Sequence, residues 1–121
     1  MSTDACVVLT TFSDDANGRR IIDTLLERRL AACVQVLPIS SYYRCKGEIN
    51  CDGEQLVLVK TRRALYPQVE AAILETHAYE TPEIVQLPIE AGSVAYLSWI
   101  DAECSDPAPS DPARSSRDLD A

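Results

Sequence analysis

The sequence has few positive charges and no long apolar run. It carries 11 Lys and Arg residues against 19 Asp and Glu residues, a formal net charge of −8 over 121 residues. A nucleic-acid-binding surface needs clustered basic side chains, and an anionic membrane repels an acidic protein. No apolar run approaches the roughly 18 residues that a membrane-spanning helix needs. We therefore expect neither nucleic acid nor membrane among the partners of this protein.

Histidine and catalytic sequence motifs are equally scarce. His77 is the one imidazole in the sequence. The chain has no Gly-x-Ser-x-Gly elbow, no phosphate-binding P-loop and no Gly-x-Gly-x-x-Gly loop. Serine, histidine and aspartate occur without a spacing that singles out a catalytic triad. We therefore predict that the protein is not an enzyme and requires no cofactor.

The five cysteines are odd in number and form no Cys-x-x-Cys pair, so neither a disulfide framework nor a compact zinc site is indicated. Cys6 and Cys33 lie in apolar runs and are expected to pack as small buried side chains. Cys45 and Cys51 are close enough in sequence to approach each other across a hairpin. The first four residues lack the basic flank of a secretion signal, and we expect a cytoplasmic protein.

A change of composition near residue 105 divides the chain. Residues 105–121 hold three of the seven prolines and a single large apolar residue, Leu119. Such a segment buries too little apolar surface to offset the entropy that is lost on ordering. We predict one folded domain over residues 1–104, followed by a disordered tail over residues 105–121.

Two periodicities alternate within residues 1–104. Short β-branched apolar runs predict strands, and apolar residues at three- and four-residue intervals predict amphipathic helices. Ser13 and the two aspartates after it suit the start of the first helix, and Pro67 suits the first turn of the second. On a short last helix we expect Tyr96 and Trp99 to pack against the sheet. The predicted elements are strands over 5–12, 32–43, 54–61 and 82–89 and helices over about 14–30, 65–76 and 93–103.

The order β-α-β-β-α-β with a terminal helix is that of the split βαβ arrangement. We therefore predict an α+β ferredoxin-like sandwich, in which both main helices cover one face of an antiparallel sheet and an additional C-terminal helix follows. This fold hosts many unrelated activities, so it does not indicate a function by itself.

Several motifs resemble those of the CutA divalent-cation tolerance proteins. The longest is the block from His77 to Ile89, and another runs from Gly92 to Ile100. The resemblance runs in order through nearly all of residues 7–101 and leaves the tail out. The other matching stretches are Leu30 to Val34, Pro38, Ser41 to Tyr43, Gly47, Glu54 and Lys60 with Thr61.

The resemblance implies a homotrimer in which a long middle hairpin reaches over neighbouring subunits and the sheets adjoin edge to edge. It favours Lys46-Gly47 as the hairpin tip and makes Asp52-Gly53 a bulge. Trimer formation would also cover the long strand edges that an isolated subunit exposes. The family resembles the PII signalling proteins in fold and trimeric design.

A specific metal site depends on His77. In some members of the CutA family, copper binding uses a cysteine near the end of the first strand and paired histidines at the end of the second helix. Here two of those positions carry Thr10 and Thr76, so only His77 is retained. We name His77 as the candidate metal ligand, for copper or another divalent cation. The alternative is a histidine that only caps its helix.

A second set of residues resembles the lining of the clefts between subunits in the family. In this interpretation Lys60 anchors an anion, whereas Glu54 and Glu83 supply hard oxygen ligands to a cation. The alternative is that the set forms hydrogen bonds and ion pairs that hold a trimer together. Cys45 stands where the family usually has Trp, which would loosen that interface or enlarge the cleft. The cleft candidates are Tyr42, Tyr43, Glu54, Lys60, Tyr79 and Glu83.

The resemblance implies one of two functions. The first is a cytoplasmic homotrimer involved in tolerance of copper and other divalent cations, through weak or indirect metal binding. The alternative is a PII-like signalling or scaffold trimer that binds a small anionic metabolite in the cleft between subunits.

Overall fold

The structure, a computed structural model, describes residues 3–104, and the predicted tail over 105–121 lies outside the described residues. The sheet is antiparallel with strand order β2-β3-β1-β4. Both the fold class and the element order confirm the prediction. Within residues 3–104 no helix has the length and apolar character needed to cross a bilayer. The elements are β1 (Ala5–Phe12), α1 (Asp15–Glu27), β2 (Cys33–Cys45), β3 (Glu48–Arg62), a 3-10 turn (Arg63–Leu65), α2 (Tyr66–Thr76), β4 (Val85–Pro88) and α3 (Val94–Glu103).

The start of each long helix is fixed by its sequence. Asp14 caps α1, because its carboxylate accepts the backbone N–H of Asn17 at 2.9 Å and satisfies a donor that the first turn leaves unpaired. Pro67 lies in the first turn of α2, where its missing N–H costs no hydrogen bond. Ser93 caps α3 by accepting the Tyr96 amide N–H.

The sheet has a covered face and an open face. On the covered face Val8 and Val59 are completely buried, in one cluster with Ile21 of α1 and Ile73 of α2. Strand residues alternate between the two faces, so their neighbours project to the open face. Apolar side chains there are half-buried in the centre of the sheet and exposed toward its edges, where Leu87 is 50% exposed. The large aliphatic residues of the open face are Val7, Leu9, Leu37, Ile39, Leu56, Leu58, Val85 and Leu87.

Strands β2 and β3 continue beyond the rest of the sheet as a two-stranded ribbon over residues 40–53, which we call the distal hairpin. β1 ends with Phe12 opposite Gln55, whereas β2 and β3 stay paired as far as Cys45 and Glu48. Lys46 and Gly47 join the strands with φ angles of 52° and 79°, the left-handed conformation of a two-residue hairpin turn. The predicted tip at Lys46-Gly47 is therefore confirmed.

The register of the distal hairpin corrects two expectations. Gly53 pairs with Ser40 in an unbroken ladder, so the predicted bulge at Asp52-Gly53 is wrong. Cys51 of β3 pairs with Tyr42 of β2, and Tyr42 lies three residues before Cys45 on the same strand. Because an odd separation reverses the face of a strand residue, Cys45 and Cys51 project to opposite sides of the ribbon and do not approach each other.

The packing of α3 corrects a third expectation. Ile100 is fully buried, but Tyr96 and Trp99 are 39% and 42% exposed and stack on each other with ring centroids 5.7 Å apart. The predicted packing against the sheet is therefore only partial: both rings stay half exposed, and Tyr96 contacts the sheet through the ammonium group of Lys60 on β3. The reason is helical spacing: Leu97, Ile100 and Cys104 form the stripe that faces the core, and the two aromatic rings lie beside it.

Gly18 gives a test of the packing between α1 and β1. A Cβ at this position would lie 2.3 Å from Cε1 of Phe12, a buried ring. Although alanine normally stabilises a helix interior by about 1 kcal/mol relative to glycine, we expect Gly18→Ala to lower the free energy of unfolding by about 1–3 kcal/mol. Urea denaturation measures this change. Gly53→Ala is the matched control, because a Cβ there meets no atom within 4 Å. Equal stability of the two variants would contradict the prediction.

Candidate functional site

A cleft of about 750 Å³ opens where β1 ends and the distal hairpin continues. Three segments form its walls: the end of β1 with the residue after it, the paired strands of the hairpin, and the loop that follows α2. Five of the six predicted cleft residues line it, and Lys60 does not. The lining residues are Thr11, Ser13, Ser41, Tyr42, Tyr43, Asp52, Glu54, Tyr79, Thr81, Pro82 and Glu83.

The carboxylate of Glu54 is the centre of the hydrogen bonding in the cleft. Burial alone would raise its pKa, but hydrogen bonds from Ser41, Tyr79 and Thr11 outweigh burial and lower the pKa below the ordinary value of 4.5. The Tyr79 hydroxyl donates to Oε2 of Glu54 at 2.7 Å. Glu54 is therefore held as an anion at neutral pH.

Tyr79 links the three walls of the cleft. Its single hydroxyl proton goes to Glu54, so the Ser13 hydroxyl is the donor in the hydrogen bond between Ser13 and Tyr79. Burial raises the pKa of Tyr79, and the hydrogen bond to Glu54 raises it further. One phenol thus ties the loop after α2 to the loop after β1 and to the hairpin.

A second tyrosine–carboxylate pair lies farther out on the hairpin. The Tyr43 hydroxyl donates to the carboxylate of Asp52, and this hydrogen bond, with a smaller effect of burial, raises the pKa of Tyr43 to about 12. The outer wall of the cleft is therefore also negatively charged, with the phenol kept protonated.

His77 lies behind Tyr79 and supports it. Its Nε2 faces the Thr11 carbonyl oxygen at 2.7 Å, and its Nδ1 faces the Tyr79 amide N–H at 3.0 Å. A carbonyl only accepts and an amide N–H only donates, so Nε2 carries the proton and Nδ1 accepts. The ring also contacts the Tyr79 ring, with centroids 4.6 Å apart. Both ring nitrogens are thus engaged by the backbone.

The residues near the candidate metal ligand do not complete a metal site. The Thr76 hydroxyl donates back to the Ala72 carbonyl at 2.8 Å within its own helix. Oγ1 of Thr10 is fully buried and has no hydrogen-bond partner among the described residues. Within residues 3–104, no group of three or more His, Cys, Asp and Glu side chains is placed to hold a metal ion. The ligand set for a tight copper site within one subunit does not fit.

Lys60 lies far from the cleft. It shares β3 and the open face with Glu54, but six residues of extended strand separate the two by about 20 Å. Its ammonium nitrogen lies over the ring of Tyr96, 5.2 Å from the centroid, in a cation–π contact. Lys60 therefore cannot anchor an anion in the cleft of its own subunit.

The charge of the cleft favours cations. Asp52, Glu54 and Glu83 line it, and none of its lining residues within the described part of the chain is Lys or Arg. Together with the hydroxyl groups, this lining supplies oxygen ligands, which hard cations prefer. No observation favours the predicted alternative of an anionic metabolite.

Several site residues were not predicted from the sequence. Asn17 of α1 is buried; its side-chain amide donates to the Thr76 carbonyl at 2.7 Å, and its side-chain oxygen accepts the Ala78 N–H at 3.1 Å. These bonds fix the loop that carries Tyr79. Ser41 and Asp52 pair across the hairpin, and once the turn is placed at Lys46-Gly47 that register follows from counting residues back along each strand.

Comparison with known proteins identifies the family. The family model described as CutA1 divalent ion tolerance protein matches residues 6–103. The chain belongs to the CutA1 family. The divalent-cation tolerance protein CutA of Thermus thermophilus is 43% identical over 95 residues, 78% of this chain and 92% of that protein. That of Pectobacterium atrosepticum is 38% identical over 100 residues, 82% of this chain and 91% of that protein.

Solved CutA1 structures share the fold. The Thermus thermophilus protein superposes with a TM-score of 0.80 at 40% identity, over 84% of this chain and 99% of that chain. The periplasmic divalent cation tolerance protein CutA of Archaeoglobus fulgidus superposes with a TM-score of 0.79 at 35% identity, over 82% of this chain and 97% of that chain. A chloroplastic CutA1 relative from rice is longer: the match, 35% identical over 95 residues, covers 78% of this chain and 54% of that protein.

The hydroxyl donors around Glu54 give a test by pH. Because they lower its folded pKa, their contribution to stability is complete above the ordinary pKa of 4.5 and is lost as pH falls through the folded value. We expect Tyr79→Phe to raise the pKa of Glu54, measured by NMR titration of its carboxyl carbon. At neutral pH the variant should lose about 1 kcal/mol of stability, and the loss should shrink in acid.

Tyr42→Phe is the matched control for this titration. Tyr42 lines the same cleft, but its hydroxyl is not among the groups that shift the pKa of Glu54. It should leave that pKa unchanged. A pKa of Glu54 that stays the same in Tyr79→Phe, or that moves equally in both variants, would contradict the assigned role of the Tyr79 hydroxyl.

Proposed function

We propose that this protein contributes to the tolerance of divalent cations as a cytoplasmic homotrimer, binds metal ions weakly or acts on them indirectly, catalyses no reaction and requires no cofactor. The observation that carries this proposal is the match of residues 6–103 to the CutA1 family. The carboxylate-lined cleft supports it. The five free cysteines are in keeping with a reducing compartment such as the cytoplasm.

The proposed metal binding is diffuse. A chain with a formal charge of −8 attracts cations without a dedicated site, and a trimer concentrates that charge. Asp52, Glu54 and Glu83 add oxygen ligands around one cleft. A direct bond between copper and His77 is not part of the proposal, because it would displace a backbone partner of the ring.

Calorimetric titration with copper tests this account. We expect weak binding that fades as salt is added, because attraction between exposed charges is screened over about 10 Å at 0.1 M ionic strength. Wild type and His77→Gln should give the same isotherm. The double variant Glu54→Gln, Glu83→Gln is the matched comparison, and we expect it to bind less copper and to give a smaller heat of binding. Tight, stoichiometric binding in the wild type that disappears in His77→Gln would contradict the proposal.

Three features support the homotrimer. On the open face, Leu87 is 50% exposed and Leu37 is 43% exposed, and the side chains around them are also apolar. The distal hairpin is a two-stranded ribbon, which has marginal stability by itself in water. The apolar helix α3 leaves Val94 82% exposed. Exposed apolar surface marks a protein interface, and further copies of the chain can cover all three features.

The molar mass in solution tests the homotrimer. At micromolar concentration, light scattering should give three times the chain mass for the wild type. Leu87→Lys places a charge on the open face and should shift the mass toward one chain. Leu74→Lys is the matched control, because Leu74 is 54% exposed on α2 at the other side of the sheet. A monomeric wild type, or equal effects of the two variants, would contradict the proposal.

A further inference from the structure

Two cysteines flank one threonine in the core, away from the cleft. Thr61 of β3 pairs directly with Cys6 of β1, so both side chains project from the covered face as cross-strand neighbours, with Cβ atoms about 5 Å apart. Cys104, which ends α3, places its Sγ 3.7 Å from Oγ1 of Thr61. Cys6 and Thr61 are fully buried, and Cys104 is 5% exposed. The two thiols therefore share a neighbour and an apolar environment.

The hydrogen bonds show which of these groups can turn. The Thr61 hydroxyl donates its proton to the Leu30 carbonyl at 2.6 Å, so the Cys104 thiol is the donor toward Thr61. A thiol is a weak donor and sulfur a weak acceptor, so this hydrogen bond and the one from the Arg62 backbone restrain the Cys104 side chain only weakly. Cys104 has left the helical conformation, with φ −92° and ψ 139°. A rotation of its side chain therefore breaks no helical turn, and the electrostatic effect of Cys104 on the pKa of Cys6 indicates that the two thiols lie near each other.

We propose that Cys6 and Cys104 form a reversible disulfide latch that fastens the end of α3 to β1 when a low-molecular-weight disulfide such as oxidised glutathione accumulates. The thiolate of Cys104 attacks one sulfur of that disulfide, which leaves a mixed disulfide and releases one thiol. The thiolate of Cys6 then attacks Sγ of Cys104 and releases the second thiol. The two cysteines lose two protons and two electrons, and the oxidant is reduced to two thiols.

Burial sets the rate of this reaction. It raises the pKa of Cys6 to about 11 and also raises the pKa of Cys104, so thiolate is scarce at neutral pH. The latch therefore closes slowly, through openings of the α3 end, and faster as pH rises. In a reducing cytoplasm both thiols stay free.

The latch would stiffen the helix that carries the exposed aromatic pair. The end of α3 is also held by buried Ile100 and by an ion pair between Asp101 and Arg62 at 3.1 Å. The Arg29 guanidinium donates to the carbonyls of Ala102 and Glu103 at 3.0 and 3.1 Å. A covalent bond between residues 6 and 104 closes a loop that spans nearly the whole domain. Such a loop lowers the entropy of the unfolded chain substantially.

Oxidation of a variant that keeps only these two thiols tests the proposal. The full-length background Cys33→Ser, Cys45→Ser, Cys51→Ser is equilibrated with excess oxidised glutathione at pH 8.5. We expect an intact mass lower by two hydrogens, with the peptides of Cys6 and Cys104 joined in a non-reducing digest. The melting temperature should rise by about 5 °C or more and return after reduction. Cys104→Ser in the same background is the control and should show neither change.

Two results would overturn the latch. One is an equilibrated background variant that carries only glutathione adducts or no modification. The other is a joined pair that leaves the melting temperature unchanged, because the bond would then not fasten α3. If the background variant does not fold, the digest of the oxidised wild-type chain decides, since it identifies the partner of Cys104 directly.

Discussion

Two helices can cover only one face of a four-stranded sheet, and the rest of this structure depends on that constraint. The covered face is filled by valines of β1 and β3 that are completely buried. The open face carries the same kind of side chain without a cover, and the distal hairpin extends it past the end of β1. A subunit built in this way leaves much of its apolar sheet surface in water, which gives association a strong driving force.

The same constraint positions the cleft. Because β1 stops opposite Gln55, the hairpin strands beyond that point have no third strand beside them, and polar residues occupy the open space. Glu54 accepts hydrogen bonds there from hydroxyl groups of three chain segments. His77 contributes from behind by holding Tyr79. The histidine that a metal hypothesis would select thus has a structural role, and the negative charge of the cleft comes from carboxylates.

Local patterns in the sequence predicted the elements well, and long-range contacts explain the rest. Strand β1 follows from a β-branched run, and the start of α2 follows from Pro67 in a first helical turn. The environment of His77 could not be predicted, because its ring reaches the Thr11 carbonyl 66 residues away. The position of Lys60 could have been predicted from the sequence. Six residues of one extended strand separate Lys60 from Glu54, and this distance is too long for both side chains to line one cleft.

Hydrogen exchange of the distal hairpin tests most directly whether other copies of the chain cover the surface that the helices leave open. An isolated two-stranded ribbon protects its amides poorly, whereas a ribbon packed in an interface exchanges slowly. At micromolar concentration we expect the amides of residues 40–53 to exchange nearly as slowly as those of β1, and to exchange faster on dilution below the association range. Fast exchange of the hairpin beside a protected β1, at every concentration, would contradict the account.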